Sequence, residues 1–106
     1  MYYQDIEQGL TEMEIFKVTL TKKAENELKK LPKYIVFKLT GWVEDVGSRG
    51  LSEVKKVPGY HDEPLKGKRK GQRSIRLSKQ YRAIYVIDEN KKMAQIIIME
   101  VNKHEY

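Results

Sequence analysis

Between Lys66 and Arg82 the chain carries Lys66, Lys68, Arg69, Lys70, Arg73, Arg76, Lys79 and Arg82, with no acidic residue among them. Such a run is offset by a polyanion, or by solvent and carboxylates brought from elsewhere in the fold. Its second half has the composition of a β-hairpin: Arg73-Ser74-Ile75-Arg76-Leu77 and Tyr81-Arg82-Ala83-Ile84-Tyr85 flank Ser78-Lys79-Gln80. A three-residue turn there sets Arg76 opposite Arg82, with side chains ~5 Å apart on one face. Two guanidinium groups so placed repel, and a phosphate between them relieves the repulsion. Lys66, Lys68 and Lys70 lie in the preceding loop beside Gly67 and Gly71, where mobile point charges suit an extended phosphate backbone.

Two histidines occur. His61 lies in the loop before the basic stretch, and His104 in the closing Val101-Asn102-Lys103-His104-Glu105-Tyr106. A single histidine is commonly a hydrogen-bonded surface or core residue. His104 differs in its company, because it follows a strand expected to adjoin the arginine hairpin, and imidazole exchanges protons near neutrality. Arginines that hold a phosphate, with a histidine or tyrosine to move protons, suffice for cleavage of RNA without a metal. The substrate's own 2′-hydroxyl attacks the adjacent phosphorus, so the protein need only activate it, stabilise the added charge and protonate the leaving 5′ oxygen. His61, Asp62 and Glu63 are consecutive and lack the spacing of a metal site. No cofactor motif is present, and none is expected.

The elements that position these groups are legible in outline. Ile15, Phe16, Val18 and Leu20 predict a strand of about six residues, ending at Thr21, a good helix N-cap. Ala24, Leu28 and Leu31 recur at helical spacing until Pro32. Ile35, Leu39, Trp42 and Val46 form the inner face of a second helix that Gly47 and Gly50 end. Phe37 and Trp42 are expected in the core rather than as stacking platforms for bases. Leu51, Val54 and Val57 allow one or two more helical turns, and Pro58 to Pro64 reads as a loop. Tyr81 to Ile87 and Ala94 to Val101 are apolar on both faces and should be central strands. The expected fold is α+β: an N-terminal strand, two helices, then a three-stranded antiparallel meander, in one mainly antiparallel sheet with helices packed on it.

The 106 residues make one domain, with 21 Lys and Arg against 15 Asp and Glu for a net charge of +6. Residues 1 to 14 hold Asp5, Glu7, Glu12 and Glu14 and no base, so they carry −4 and residues 15 to 106 carry +10. The acidic stretch reads as an extension outside a domain spanning 15 to 106. So basic a domain points to nucleic acid, and no long apolar run or basic amphipathic helix supports a membrane instead. Without cysteine there are neither disulfides nor thiolate metal sites. With an acidic start that reads against a secretory signal, a cytoplasmic protein is expected.

The chain resembles the RelE/HigB-like toxins of bacterial type II toxin–antitoxin systems, within the wider RelE/ParE superfamily. The resemblance spans roughly residues 16 to 106. Its motifs are Gly59-Tyr-His-Asp-Glu-Pro-Leu-Lys-Gly67, Gly71-Gln-Arg-Ser-Ile-Arg-Leu77, Tyr81-Arg82-Ala-Ile-Tyr85 and Glu100-Val-Asn-Lys-His-Glu-Tyr106. It implies a RelE-like fold, a ribonuclease that cleaves messenger RNA, often in the ribosome, and a cognate antitoxin from a neighbouring gene. It further implies that Arg76 and Arg82 hold the scissile phosphate, that His104 is a general acid or base with Tyr106 beside it, and that Lys66 and Lys68 contact RNA. Arg73 is an RNA-binding candidate, and His61 falls where some members have an active-site histidine. Two other readings share the basic hairpin: a ParE-like poison of DNA gyrase without nuclease chemistry, and a non-catalytic RNA-binding module.

Overall fold

The computed structural model describes residues 14–89 and 94–103. Strand β1 (Val18–Leu20) leads into helix α1 (Lys22–Leu28), and helix α2 (Lys33–Arg49) is followed by the single turn α3 (Leu51–Val54). A 3-10 turn (Pro58–Tyr60), strand β2 (Glu63–Pro64) and a second 3-10 turn (Gly67–Arg69) precede strands β3 (Arg73–Arg76), β4 (Tyr81–Asp88) and β5 (Gln95–Lys103). They form one five-stranded sheet in the order β1-β5-β4-β3-β2. The β2-β3, β3-β4 and β4-β5 pairs are antiparallel, while β1 runs parallel to β5, Val18 opposite Ile96 and Leu20 opposite Ile98. The expected α+β architecture is therefore present. Two of the strands differ from expectation. The segment read as a loop contributes the short edge strand β2, and the first strand spans three residues, with Ile15 buried before it and Phe16 half exposed.

Helix α1 starts where Thr21 leads, since the Thr21 hydroxyl oxygen accepts the Ala24 N–H at 3.1 Å. The same hydroxyl donates to the Met99 carbonyl at 2.9 Å, and the Thr21 N–H bonds the Ile98 carbonyl at 3.0 Å. One residue thus ends β1, caps α1 and ties both to β5. Helix α2 buries the predicted stripe of Ile35, Leu39, Trp42 and Val46 against the sheet. It runs through Gly47 and ends only at Gly50, whose φ of 88° is open to glycine and little else. Glu14 packs against Gly50 and accepts the Ser52 N–H at 2.9 Å, which fixes the approach of the chain. Residues 1–13, the rest of the acidic stretch, lie outside the described residues.

The core joins the helices to the inner faces of Ile75, Ala83, Tyr85, Ile96, Ile98 and Val101. Trp42 lies within it, its ring 5.3 Å from that of Tyr85. Phe37, expected in the core as Trp42 is, is instead 78% exposed, because the buried stripe of α2 turns it to the opposite side. Opposite Ile84 and Tyr85, β5 contains a bulge: Ile84 faces Glu100, Tyr85 faces Ile98, and Met99 has no counterpart. The extra residue reverses which face each later side chain takes, sending Val101 inward and Glu100 and Asn102 outward. Among the described residues, no helix is long and apolar enough to cross a membrane.

Because Thr21 serves the cap of α1 and the bulge carbonyl together, Thr21→Ala should lower stability by about 1–2 kcal/mol. The fall would be read from the urea midpoint at neutral pH.

Candidate functional site

The hairpin forms as its residues suggest. Leu77 N–H bonds the Tyr81 carbonyl at 2.9 Å, and Ser78 Oγ accepts the Gln80 and Tyr81 N–H groups at 3.2 Å each, closing the turn. That register places Arg76 opposite Arg82, and the β4-β5 register places Arg82 opposite Asn102. The row Arg76, Arg82, Asn102 therefore crosses three strands on the face turned away from the helices. A shallow cleft of about 30 Å³ lies there, with His61, Glu63, Ser74, Arg76, Ser78 and Arg82 along it.

Arg76 is exposed and Arg82 half-buried, and no carboxylate among the described residues pairs with either. Arg82 Nε and Asn102 Oδ1 are buried without a hydrogen-bond partner among the described residues. Asn102 Nδ2 donates to Glu100 Oε1 at 2.6 Å, so the amide is held with its oxygen unused. Glu100 is in turn held by Arg69 at 3.1 Å and Lys23 at 3.9 Å. A buried donor without a partner costs roughly 1–3 kcal/mol, and two facing guanidinium groups add repulsion. An anion seated between Arg76 and Arg82 would offset the excess charge.

His61 reaches this cleft from a strained loop. At φ 51° it is the non-glycine residue with positive φ among the described residues, directly after the Pro58–Tyr60 turn. Two anchors hold the loop. Tyr60 donates to Asp45 Oδ2 at 2.9 Å, and Asp45 also takes the Arg49 Nε and Nη2 at 3.2 Å each. The Arg49 and Tyr60 hydrogen bonds hold the Asp45 carboxyl below its usual range. Burial, then Asp45, pushes the Tyr60 hydroxyl from 10.0 up to about 12. The second anchor is Asp62, whose side chain is 0% exposed. It accepts from Arg73 Nε at 2.7 Å and from the Tyr85 hydroxyl at 2.6 Å. Burial first, and then the Asp62 charge, drives the Tyr85 hydroxyl far above its ordinary value. Burial opposes the charge on Arg73, but the hydrogen bond and charge of Asp62 outweigh it and raise its pKa.

The structure thus brings Arg76, Arg82 and His61 together and gives Arg73 a different occupation. Arg73, expected to bind RNA, spends its Nε on Asp62 beside the core. Asp62 faces inward while His61 and Glu63 line the cleft, so these consecutive residues do not converge. Among the described residues, no group of three His, Cys, Asp or Glu is placed to hold a metal ion. Lys66, Lys68 and Lys70 are exposed on the loop that the Leu65 N–H to Gln72 carbonyl bond closes at 2.9 Å, away from the cleft lining. His104 and Tyr106 lie outside the described residues. The last one described, Lys103, is opposite Tyr81, adjacent to Arg82 in β4. Glu63 and Asn102 are cleft-side groups that sequence reasoning missed. Glu63 depends on the pairing of a two-residue strand and Asn102 on a bulge, neither of which has a local signal.

Replacing Asp62 by Asn would leave the half-buried Arg73 charge without its counter-ion, a loss of about 2–3 kcal/mol. Chemical denaturation of the variant checks it. Tyr60 yields a pH test. Its folded pKa lies above the unfolded one, so it stabilises the protein fully below pH 10.0 and the benefit is lost as pH rises toward about 12. Tyr60→Phe should therefore lower the urea midpoint at neutral pH, yet show a shallower fall than the parent across that alkaline window.

Comparison with known proteins places this geometry in a family. The family model described as "ParE toxin of type II toxin-antitoxin system, parDE" matches residues 18–105. No curated protein matches the sequence significantly. Among solved structures, YafQ from E. coli superposes with a TM-score of 0.65 at 16% identity, over 83% of this chain and 92% of that one. The RelBE2 toxin–antitoxin complex of Mycobacterium tuberculosis gives 0.60 at 24% identity, over 83% and 96%. The archaeal RelE–RelB complex of Pyrococcus horikoshii gives 0.60 at 21% identity, over 82% and 92%. At these identities the superpositions establish the shared RelE-like fold, and the family match establishes descent. The chain belongs to the ParE toxin family of type II toxin–antitoxin systems, within the RelE/ParE superfamily.

Proposed function

We propose that this toxin is an endoribonuclease that cleaves messenger RNA, engaged with the ribosome, by attack of the substrate's 2′-hydroxyl on the adjacent phosphate. The observation that carries the reading is the pair Arg76 and Arg82, opposite each other and without a carboxylate partner among the described residues, in a cleft that His61 also lines. The 2′-oxygen forms a bond to phosphorus as the bond to the 5′ oxygen breaks, leaving a 2′,3′-cyclic phosphate and a 5′-hydroxyl. One base takes the proton from the 2′-hydroxyl and one acid returns a proton to the leaving oxygen. Arg76 and Arg82 stabilise the charge that grows on the non-bridging oxygens. His104 and Tyr106 are assigned the proton transfers, and His61 is the cleft residue able to share them. Lys66, Lys68 and Lys70 guide the RNA backbone. A cognate antitoxin with acidic or apolar side chains would cover the basic hairpin, in keeping with the partnered relatives of the same fold.

Inhibition of DNA gyrase is the second reading, favoured by the ParE description of the matching family. Expression without a partner should arrest growth under both. Early decay of messenger RNA with intact gyrase supercoiling supports the nuclease, and the reverse order supports the poison. His104→Ala should lower single-turnover cleavage by ~10² to 10⁴ with little loss of stability. A native rate in the folded variant removes His104 from the mechanism.

Binding and chemistry should separate within the basic stretch. Neutralising Lys66, Lys68 or Lys70 should weaken RNA binding and reduce its log–log salt slope by about 0.7 per lost phosphate contact. Arg82→Lys should keep most binding but slow cleavage of bound RNA, because an ammonium cannot reproduce the guanidinium fork. Salt titration beside single-turnover cleavage at saturating protein distinguishes the two classes.

A further inference from the structure

A larger groove adjoins the arginine cleft. It has a volume of about 240 Å³ and runs between α2, the Pro58–Tyr60 turn and the β3-β4 turn. Val57 and Leu77 contribute apolar surface, and Lys38, Arg76 and Lys79 contribute cationic side chains. Among the described residues, no acidic one lines it. Arg76 lines both the groove and the cleft, so the two meet at one guanidinium.

Helix geometry continues the surface. Tyr34 precedes Lys38 by one turn on the same strip of α2 and is 57% exposed, although its neighbour Ile35 is fully buried. Lys38 is exposed, and among the described residues no ion pair neutralises it. Asp45, farther along the strip, is occupied by Tyr60 and Arg49 and does not enter the lining. An exposed aromatic ring one helical turn beyond the lining, an apolar floor and cationic side chains around it are the components of a single-strand subsite, where bases stack and the backbone follows positive charge.

We propose that this groove binds the nucleotide next to the scissile phosphate of a single-stranded RNA. Lys38 meets the neighbouring phosphate, and Tyr34 and the Leu77 side receive its base. The groove is smaller than the ~300–1,000 Å³ of drug-sized sites, which suits one unit of a chain threaded past Arg76 rather than a separate small ligand. An acidic protein segment would match the charge equally well. The continuity through Arg76 with a cleft for a phosphate favours a repeating polyanion. The inference rests on the nuclease reading and adds a direction to it: the RNA leaves the arginine pair toward α2.

The test is fluorescence anisotropy of the intact toxin with fully 2′-O-methylated RNA oligonucleotides, which cannot be cleaved, of one, two and four phosphates. Parent affinity should rise when the second phosphate is added. Lys38→Ala and Tyr34→Ala, both at exposed positions, should each remove most of that rise, about tenfold, and leave the one-phosphate affinity unchanged. Lys38→Ala should also reduce the log–log salt slope for the longer oligonucleotides by about 0.7. If both variants bind every length as the parent does while cleavage persists, the groove is no RNA subsite and the nuclease reading stands. If the parent binds no oligonucleotide and cleaves no messenger RNA, both readings fall. Native RNA affinity with weakened antitoxin binding in Lys38→Ala overturns the proposal and assigns the groove to the protein partner.

Discussion

The antiparallel pairing of β4 with β5, broken by one extra residue at Met99, is the constraint on which both faces of the sheet depend. Strict alternation from the buried Ile96 and Ile98 would carry Glu100 and Asn102 into the core and Val101 out of it. Burying a carboxylate against the helices would be prohibitive without a partner there. The bulge resolves the conflict, and it is held from outside the pair: the Thr21 hydroxyl bonds the Met99 carbonyl, and Glu27 accepts the Val101 N–H at 2.8 Å. The first helix therefore does more than cover the sheet. It stabilises the irregularity that gives Asn102 its place beside Arg82.

Charge is distributed with the same separation of faces. Arg49, Arg69 and Arg73 each have a carboxylate within 3.2 Å, and all three hold loops or helices in place. Arg76 and Arg82 face each other with none among the described residues. A fold selected only for stability would pair them or replace one. Like charges left uncompensated among the described residues, beside a His61 at positive φ, come at some expense in folding energy, which an anion seated between them would offset.

The core and the cleft are coupled through Asp62. Its carboxylate joins Arg73 on β3 to the hydroxyl of Tyr85, whose ring packs on Trp42, while the adjacent His61 looks to the other side. The loop that carries His61 is thereby set by the packing of α2 on the sheet. Fold alone does not separate a nuclease from a gyrase poison in this superfamily, so activity has to be argued from the open face, where the arginine row, the His61 loop and the groove toward α2 meet.

Local periodicity was enough to read the stripe of α2, the Thr21 cap and the facing of Arg76 and Arg82. Each depends on residues a few positions apart, or on a short turn that leaves the register no freedom. The same reasoning failed for Phe37, because a helix has one buried stripe and Trp42 already belonged to it. Nor did it reveal that Asp62 holds Arg73, since an arginine in a basic run looks the same whether or not a buried carboxylate awaits it. The parallel pairing of β1 with β5, the two-residue strand β2 and the bulge at Met99 were decided by tertiary structure alone. Each needs partners far apart in the chain, and hydrophobic period carries no information about which distant backbone will supply the hydrogen bonds. The sequence by itself determined which residues carry positive charge on the hairpin; only the tertiary structure decided which of those arginines meet a carboxylate, because a carboxylate's reach is a property of space and not of sequence.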